Sequence, residues 1–210
     1  MSIIKDISLA GAGIKKIEWV KSYMPVLSAI GKRFEKERPF EGKTIAMSIH
    51  LEAKTAYLAL TLAAGGARVC ATGCNPLSTQ DDVAAGLSKL GVETFAIHGV
   101  DENEYIAHLT ETLRCMPDII IDDGGDFVSI LHEREPGLAK NLIGGCEETT
   151  TGVARLAARA DAGKLNFPMF AVNNAKCKHL FDNRHGTGQS VWDAIMEYSL
   201  KPPINAVMTA

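Results

Sequence analysis

A chain of 210 residues with 46% apolar content can bury one large core. Its net charge of −3 excludes a general affinity for nucleic acid or membrane surface. No apolar run approaches the roughly 20 residues of a membrane span, and no apolar leader follows the first charges. Five cysteines without a C-x-x-C pair fit reduced thiols, so a soluble, cytoplasmic protein is expected.

Residues 1–13 carry Gly11-Ala12-Gly13 and read as irregular. From Ile14, the apolar residues Ile17, Val20, Met24, Leu27, Ile30 and Phe34 recur three and four apart, which predicts a helix with one apolar stripe. Pro25 should kink or split it. The first 40 residues hold eight Lys/Arg against four Asp/Glu, an excess best read as a solvated helix face. Thr44–Ser48 predicts a strand ending at Ile49-His50. A helix over Glu52–Ala64 follows, closed by Gly65-Gly66. Strands at Ala67–Thr72 and Val92–Ile97 flank a helix running from Thr79 or Gln80 to Leu90. After a helix at Glu102–Arg114, Pro117–Ile121 leads into a strand that stops at Asp122-Asp123-Gly124-Gly125-Asp126. Val128–Leu142 reads as helical with a break near Pro136-Gly137, and Gly144-Gly145 ends it. Glu148–Ala162 reads as a helix, and Phe167–Val172 as a buried strand.

This alternation predicts an α/β fold: a parallel-sheet, three-layer domain of Rossmann-like or flavodoxin-like form, with an N-terminal helical segment. From Lys201 the tail has neither periodicity nor caps and reads as irregular.

Polar clusters follow several of these strands, and strand ends on one edge of a parallel sheet converge. His50 is the best general acid or base by type, although a lone His at a strand end also serves structural roles. The DDGGD run is ordinary turn chemistry, or a place where glycines admit a ligand to the backbone beside a carboxylate. Thr149, Thr150 and Thr151 suit a helix opening, either as a cap or against a polar ligand. Lys178 and Asp182 share a face if helical, as a surface ion pair or as a base with its orienting carboxylate. The histidines show no H-x-x-x-H or H-E-x-x-H pattern, so no catalytic metal is expected. No G-x-G-x-x-G follows a predicted strand.

Taken together, His50, Cys74-Asn75-x-x-Ser78-Thr79-Gln80-Asp81, Asp122–Asp126, Glu147–Gly152 and Lys178-x-x-x-Asp182-Asn183-x-x-Gly186 resemble the S-adenosylhomocysteine hydrolase family, in the family's order. The resemblance implies the family's substrate-binding domain over residues 1–195. In that family, tightly bound NAD oxidises the ribose 3′-hydroxyl, which acidifies the 4′ proton. Homocysteine leaves C5′, water adds, and the ketone is reduced again. By position, the resemblance implies Lys178 and Asp182 at the 3′-hydroxyl, with Lys178 as base. It implies Glu148 at the ribose hydroxyls, Asp123 near C4′, and His50 at the departing 5′ group. Thr149, Thr150, Thr151 and Asn183 are implied to touch NAD. His50, Asp123, Glu148, Lys178 and Asp182 are therefore expected to line one cleft.

The sequence departs from the family pattern where Glu52 and Lys54 stand near the place of the adenine contacts. It departs again at His185, Thr187 and Gly188. After Trp192–Ile195 the family continues into a hinge and an NAD-binding domain, whereas this sequence reads MEYSLKPPINAVMTA. Residues 196–210 are accordingly expected as an irregular tail. Three readings follow. The first is the substrate half of a hydrolase acting on S-adenosylhomocysteine or adenosine, as a homo-oligomer or with a complementing NAD-domain chain. The second is a non-catalytic nucleoside-binding module, and the third is a structural remnant.

Overall fold

The computed structural model describes residues 2–199. The irregular tail expected from Lys201 onward lies outside the described residues. Two compact units are present, Met1–Phe170 and Ala171–Ala210.

The first unit is organised by a seven-stranded parallel sheet, in the order β1-β4-β3-β2-β5-β6-β7. The strands are β1 (Ile3–Ile4), β2 (Thr44–Ser48), β3 (Arg68–Thr72), β4 (Glu93–Ala96), β5 (Ile119–Asp122), β6 (Gly144–Glu147) and β7 (Met169–Ala171). The helices between them are α1 (Ala10–Tyr23), α2 (Pro25–Glu37), α3 (Ala53–Ala64), α4 (Asp81–Lys89), α5 (Glu102–Leu113), α6 (Asp126–Ser129) and α7 (Thr150–Asp161). Alternation along β2 explains the three layers. Ile45 and Met47 enter a cluster with Ile17, Tyr57, Leu62 and Leu87 of the helices on one face. Ala46, between them, enters a second cluster with Leu109, Leu113, Phe127 and Leu156 on the other. The expected α/β, three-layer architecture is therefore the observed one. Among the described residues, no helix is long and apolar enough to cross a membrane.

Pro25 splits the N-terminal helix as expected. It takes the first helical position of α2, where its missing N–H costs nothing. The irregular reading of residues 1–13 is corrected. Ile3 and Ile4 pair with Phe95 and Ala96, and α1 already begins at Ala10. Glycines here mark close packing rather than a loop. A Cβ on Gly13 would stand 1.8 Å from the Asp82 carbonyl oxygen of α4, and one on Gly86 would stand 2.9 Å from Ile14 N. Gly13→Val should therefore force α1 off α4. A loss of at least about 1–3 kcal/mol of stability is expected from such overpacking. Urea unfolding measures it, and an unchanged midpoint would refute the account.

Gly144-Gly145 does not end a helix; it opens strand β6. The helical stretch before it ends earlier, as α6, a π-helical turn over Ile130–Arg134 and a short 3₁₀ turn at Pro136–Ala139. Glycine is a poor strand former, which hid β6 from sequence reading. The tertiary reason is room: a Cβ on Gly145 would stand 2.4 Å from Ile120 Cγ1, and one on Gly144 would stand 2.7 Å from the Pro168 carbonyl. The Phe167–Val172 strand is shorter than expected and is not buried. Phe167 is in the core, but Phe170 is 75% exposed on the last strand of the sheet.

In the second unit, Val172–Asn174 forms a 3₁₀ turn and Lys178–Gly186 a π-helix. Helix α8 (Thr187–Ser199) follows, so Met196–Ser199, expected as irregular, are helical.

Candidate functional site

The strand order reverses between β2 and β5. The chain steps outward from β2 to β3 to β4, then returns to place β5 on the other side of β2. Such a switch point opens a crevice at the carboxyl ends of the strands. Register makes those ends level, with Ser48 beside both Thr72 and Asp122, and Asp122 beside Glu147. Residues just beyond them emerge together. His50 Nε2 lies 3.7 Å from Asp123 Oδ2, with the imidazole half exposed and the carboxylate nearly buried. Cys74, which follows β3, donates its thiol to the same Asp123 oxygen at 3.2 Å. Burial, then the charge of Asp123, and after it that of Glu148, push the Cys74 thiol up from its ordinary range. That influence places the Glu148 carboxylate in the electrostatic neighbourhood of this cluster.

The orientation of His50 is set locally. Its Nδ1 is 2.6 Å from Ser78 Oγ, which also stands 3.1 Å from the Asn75 carbonyl oxygen. Thr79 Oγ1 donates to the same carbonyl at 3.1 Å, so the Ser78 hydroxyl can serve either Asn75 or His50. With the Ser78 proton on Asn75, Oγ accepts from Nδ1–H and the neutral ring turns its Nε2 lone pair toward Asp123 and Cys74. Below them, Tyr105 places its hydroxyl 2.8 Å from both the Cys74 carbonyl and Asp126 Oδ2, tying the β3 loop to the start of α6.

Asp122 and Glu147, both fully buried, support the turn that carries Asp123. Asp122 accepts from Asp123 N and Val128 N, each at 3.1 Å. Burial, and next the charge of Glu147, push the Asp122 carboxyl up to about 8. Glu147 Oε1 accepts from Gly124 N at 2.9 Å, Thr149 N at 2.9 Å and Thr149 Oγ1 at 2.8 Å. Gly124 and Gly125 turn the chain with φ of 102° and 84°, values that glycine adopts freely. Gly152 leaves the space that Glu147 fills, since a Cβ there would stand 2.1 Å from Glu147 Cδ. Thr149 caps α7, accepting from Gly152 N at 2.9 Å, so both functions of its hydroxyl are committed. Thr150 and Thr151 are exposed in the first turn of α7.

In the second unit, Lys178 Nζ donates to Asn173 Oδ1 at 2.9 Å and stands 3.8 Å from Asp182 Oδ2. Asn183 Nδ2 donates to the same Asn173 oxygen at 3.1 Å. Asn173 is 2% exposed, so one buried amide orients both side chains. They lie on a π-helix, a rare form found often at functional sites. The structure thus brings His50 and Asp123 together, with Glu148 in their electrostatic neighbourhood, in one unit. It brings Lys178, Asp182 and Asn183 together in the other. A groove of about 650 Å³ is lined by residues such as Gly125, Ser129, Glu133, Arg155 and Arg159, and His50, Asp123 and Glu148 are not among its lining residues.

The profile of the family described as "S-adenosyl-L-homocysteine hydrolase" matches residues 2–139 and 135–203. The chain belongs to the S-adenosyl-L-homocysteine hydrolase family. It is 54% identical over 196 residues to an S-inosyl-L-homocysteine hydrolase of Methanococcus maripaludis, covering 93% of this chain and 47% of that protein. It is 54% identical over 193 residues to an adenosylhomocysteinase of Pyrococcus abyssi, covering 92% and 46%. For an adenosylhomocysteinase of Aquifex aeolicus the figures are 53% over 194 residues, 92% and 46%. The chain spans about half the length of the curated relatives it matches.

Within this S-adenosyl-L-homocysteine hydrolase domain, sequence reading took Ser78, Asp122 and Glu147 as motif members without seeing their supporting role, and did not single out Tyr105 or Asn173. Ser78, Tyr105, Asp122, Glu147 and Asn173 each hold a candidate residue in place. Asn173 directly after a strand was the one legible signal, because a buried amide there must find partners. Glu52, expected near the base, caps α3 by accepting from Lys54 N and Thr55 N at 3.1 Å. The Lys54 side chain is exposed.

Proposed function

We propose that this chain supplies the substrate-binding half of an NAD-dependent hydrolase that cleaves the thioether of S-adenosylhomocysteine or of its inosyl counterpart. The observation that carries the reading is the His50–Cys74–Asp123 cluster at the switch point of a domain of this family. His50, with its lone pair on Nε2, exchanges a proton with the departing sulfur and with the entering water. Asp123 acts next to C4′, and Glu148 accepts from ribose hydroxyls. Lys178, as the neutral amine, takes the proton of the 3′-hydroxyl, and Asp182 and Asn173 hold the ammonium that results. NAD, when bound, supplies the hydride acceptor that side chains lack. Thr150 and Thr151 fit such a group as exposed hydroxyls at the start of a long helix, and Asn183 fits as an oriented amide. Thr149 acts through the cap it makes. No glycine-rich phosphate turn follows a strand in these 210 residues, so these contacts alone hold NAD weakly.

A second reading of the base is favoured by Lys54. The relatives carry both the adenosyl and the inosyl name at similar identity. An ammonium donates to the C6 oxygen of hypoxanthine but meets the 6-amino group of adenine donor against donor. Calorimetric titration of residues 1–210 with adenosine and inosine tests both readings. Weak binding, near a Kd of about 1 mM, is expected for at least one nucleoside. No homocysteine release is expected when NAD is added. Absence of binding to either nucleoside would overturn the proposed function. A preference for adenosine that Lys54→Met leaves unchanged would overturn the inosyl reading alone.

A further inference from the structure

We propose that His50, Cys74 and Asp123 form a binding site for a thiophilic divalent cation such as Zn²⁺. Nδ1 or Nε2 of His50, Sγ of Cys74 and a carboxylate oxygen of Asp123 lie within 4.8 Å of one another. Two of the separations are 3.7 Å, from His50 Nε2 to Asp123 Oδ2, and 3.2 Å, from Cys74 Sγ to the same oxygen. A tetrahedral zinc, with bonds of about 2.0–2.3 Å, holds its ligand atoms about 3.3–3.8 Å apart. Two of the three separations therefore already stand close to those that the ion imposes, and the third lies within 4.8 Å.

The surroundings complete the case. The hydrogen bond between Ser78 Oγ and Nδ1 leaves Nε2 as the inward ring nitrogen, and metal binding selects the tautomer with the proton on Nδ1, the outer hydrogen bond that orients a metal-bound imidazole. Asp123 is held on the turn built by Asp122 and Glu147, and Cys74 by the Tyr105 hydroxyl on its carbonyl. Binding is an exchange: Zn²⁺ takes the sulfur, and the thiol proton now shared with Asp123 leaves to solvent. Thiolate and carboxylate then balance the charge of the ion. Three protein ligands leave one tetrahedral position open, and the half-exposed imidazole gives it an approach from solvent. A bound ion occupies the His50 lone pair and the Asp123 carboxylate that the hydrolytic reading uses, so zinc and thioether cleavage exclude each other at this cluster. Thiolate and imidazole select zinc-like ions over Mg²⁺ and Ca²⁺, which require oxygen ligands. No metal spacing is legible in the sequence because the three ligands come from three different strand ends.

The test is zinc titration of the 210-residue chain in competition with a chromophoric chelator, followed by substitution with cobalt. One ion per chain is expected, with a thiolate-to-cobalt absorption in the near ultraviolet. Cys74→Ser should abolish that band and weaken zinc binding at least tenfold. Asp123→Asn should weaken it as well, whereas Cys177→Ser, which alters an exposed thiol of the second unit, should leave it intact. Circular dichroism establishes that each variant is folded. Failure to take up zinc from the chelator, or a cobalt–thiolate band that survives in folded Cys74→Ser, would overturn the proposal.

Discussion

Lys178→Ala is expected to lower the rate of 3′-hydroxyl oxidation about 10²–10⁴-fold, the usual contribution of a general base, in an assembly that carries NAD. Nucleoside affinity should change little. The reason is the way Lys178 is held. Its ammonium donates to Asn173 Oδ1 at 2.9 Å, and that amide is buried and also receives Asn183. Asp182 is the looser partner, at 3.8 Å with its side chain mostly exposed. A mere surface ion pair would contribute only about 0–1 kcal/mol and would leave turnover intact. Single-turnover formation of NADH is the measurement. A loss of less than about tenfold would remove Lys178 from the role of base.

Asp122→Asn should change the pH dependence of folding. In the folded chain, burial and then Glu147 raise the Asp122 carboxyl to about 8, while an unfolded aspartate titrates near 3.9. Between these values the folded state holds the extra proton. Its contribution is therefore fully present below about pH 4 and is lost as the pH rises through about 8. Within that window each pH unit removes up to about 1.4 kcal/mol. Asparagine cannot titrate, and its amide nitrogen must face one of the backbone N–H groups of Asp123 and Val128. The variant should thus be less stable by about 1–3 kcal/mol at acid pH. The gap between native chain and variant should close and then reverse toward alkaline pH, because a loss of about 1.4 kcal/mol for each unit of pH up to about 8 exceeds it. Urea unfolding of both proteins at about pH 5 and about pH 9 reads this directly. A gap that stays constant, or widens with pH, would show that Asp122 is ionised throughout.

Much of the candidate site was legible because its residues sit one or two places beyond apolar runs. His50 after Thr44–Ser48 and Asp123 after Ile119–Asp122 are instances, and their motifs place the chain in its family. What was illegible is contact between segments. Cys74 read as part of a motif, but its thiol bond to Asp123 depends on β3 and β5 ending level on either side of β2. Glu147 and Glu148 read as the acidic start of a helix. Glu147 instead ends a strand and is swallowed by the fold, while Thr149 becomes the cap.

By itself, the sequence determined the alternation of strands and helices, the split at Pro25 and the family. Those features rest on local periodicity, on proline's missing donor and on short motifs, and none of them needs a distant partner. Only the tertiary structure decided that Gly13, Gly144 and Gly145 are packing residues, that β1 and β6 exist, and which side chains meet. A glycine in a turn and a glycine under a neighbouring backbone look alike in one dimension. The difference is the 1.8 Å at which a Cβ on Gly13 would meet Asp82, a residue 69 positions away in the chain. Likewise, His50, Cys74 and Asp123 come within 4.8 Å of one another only because three strands end on one edge.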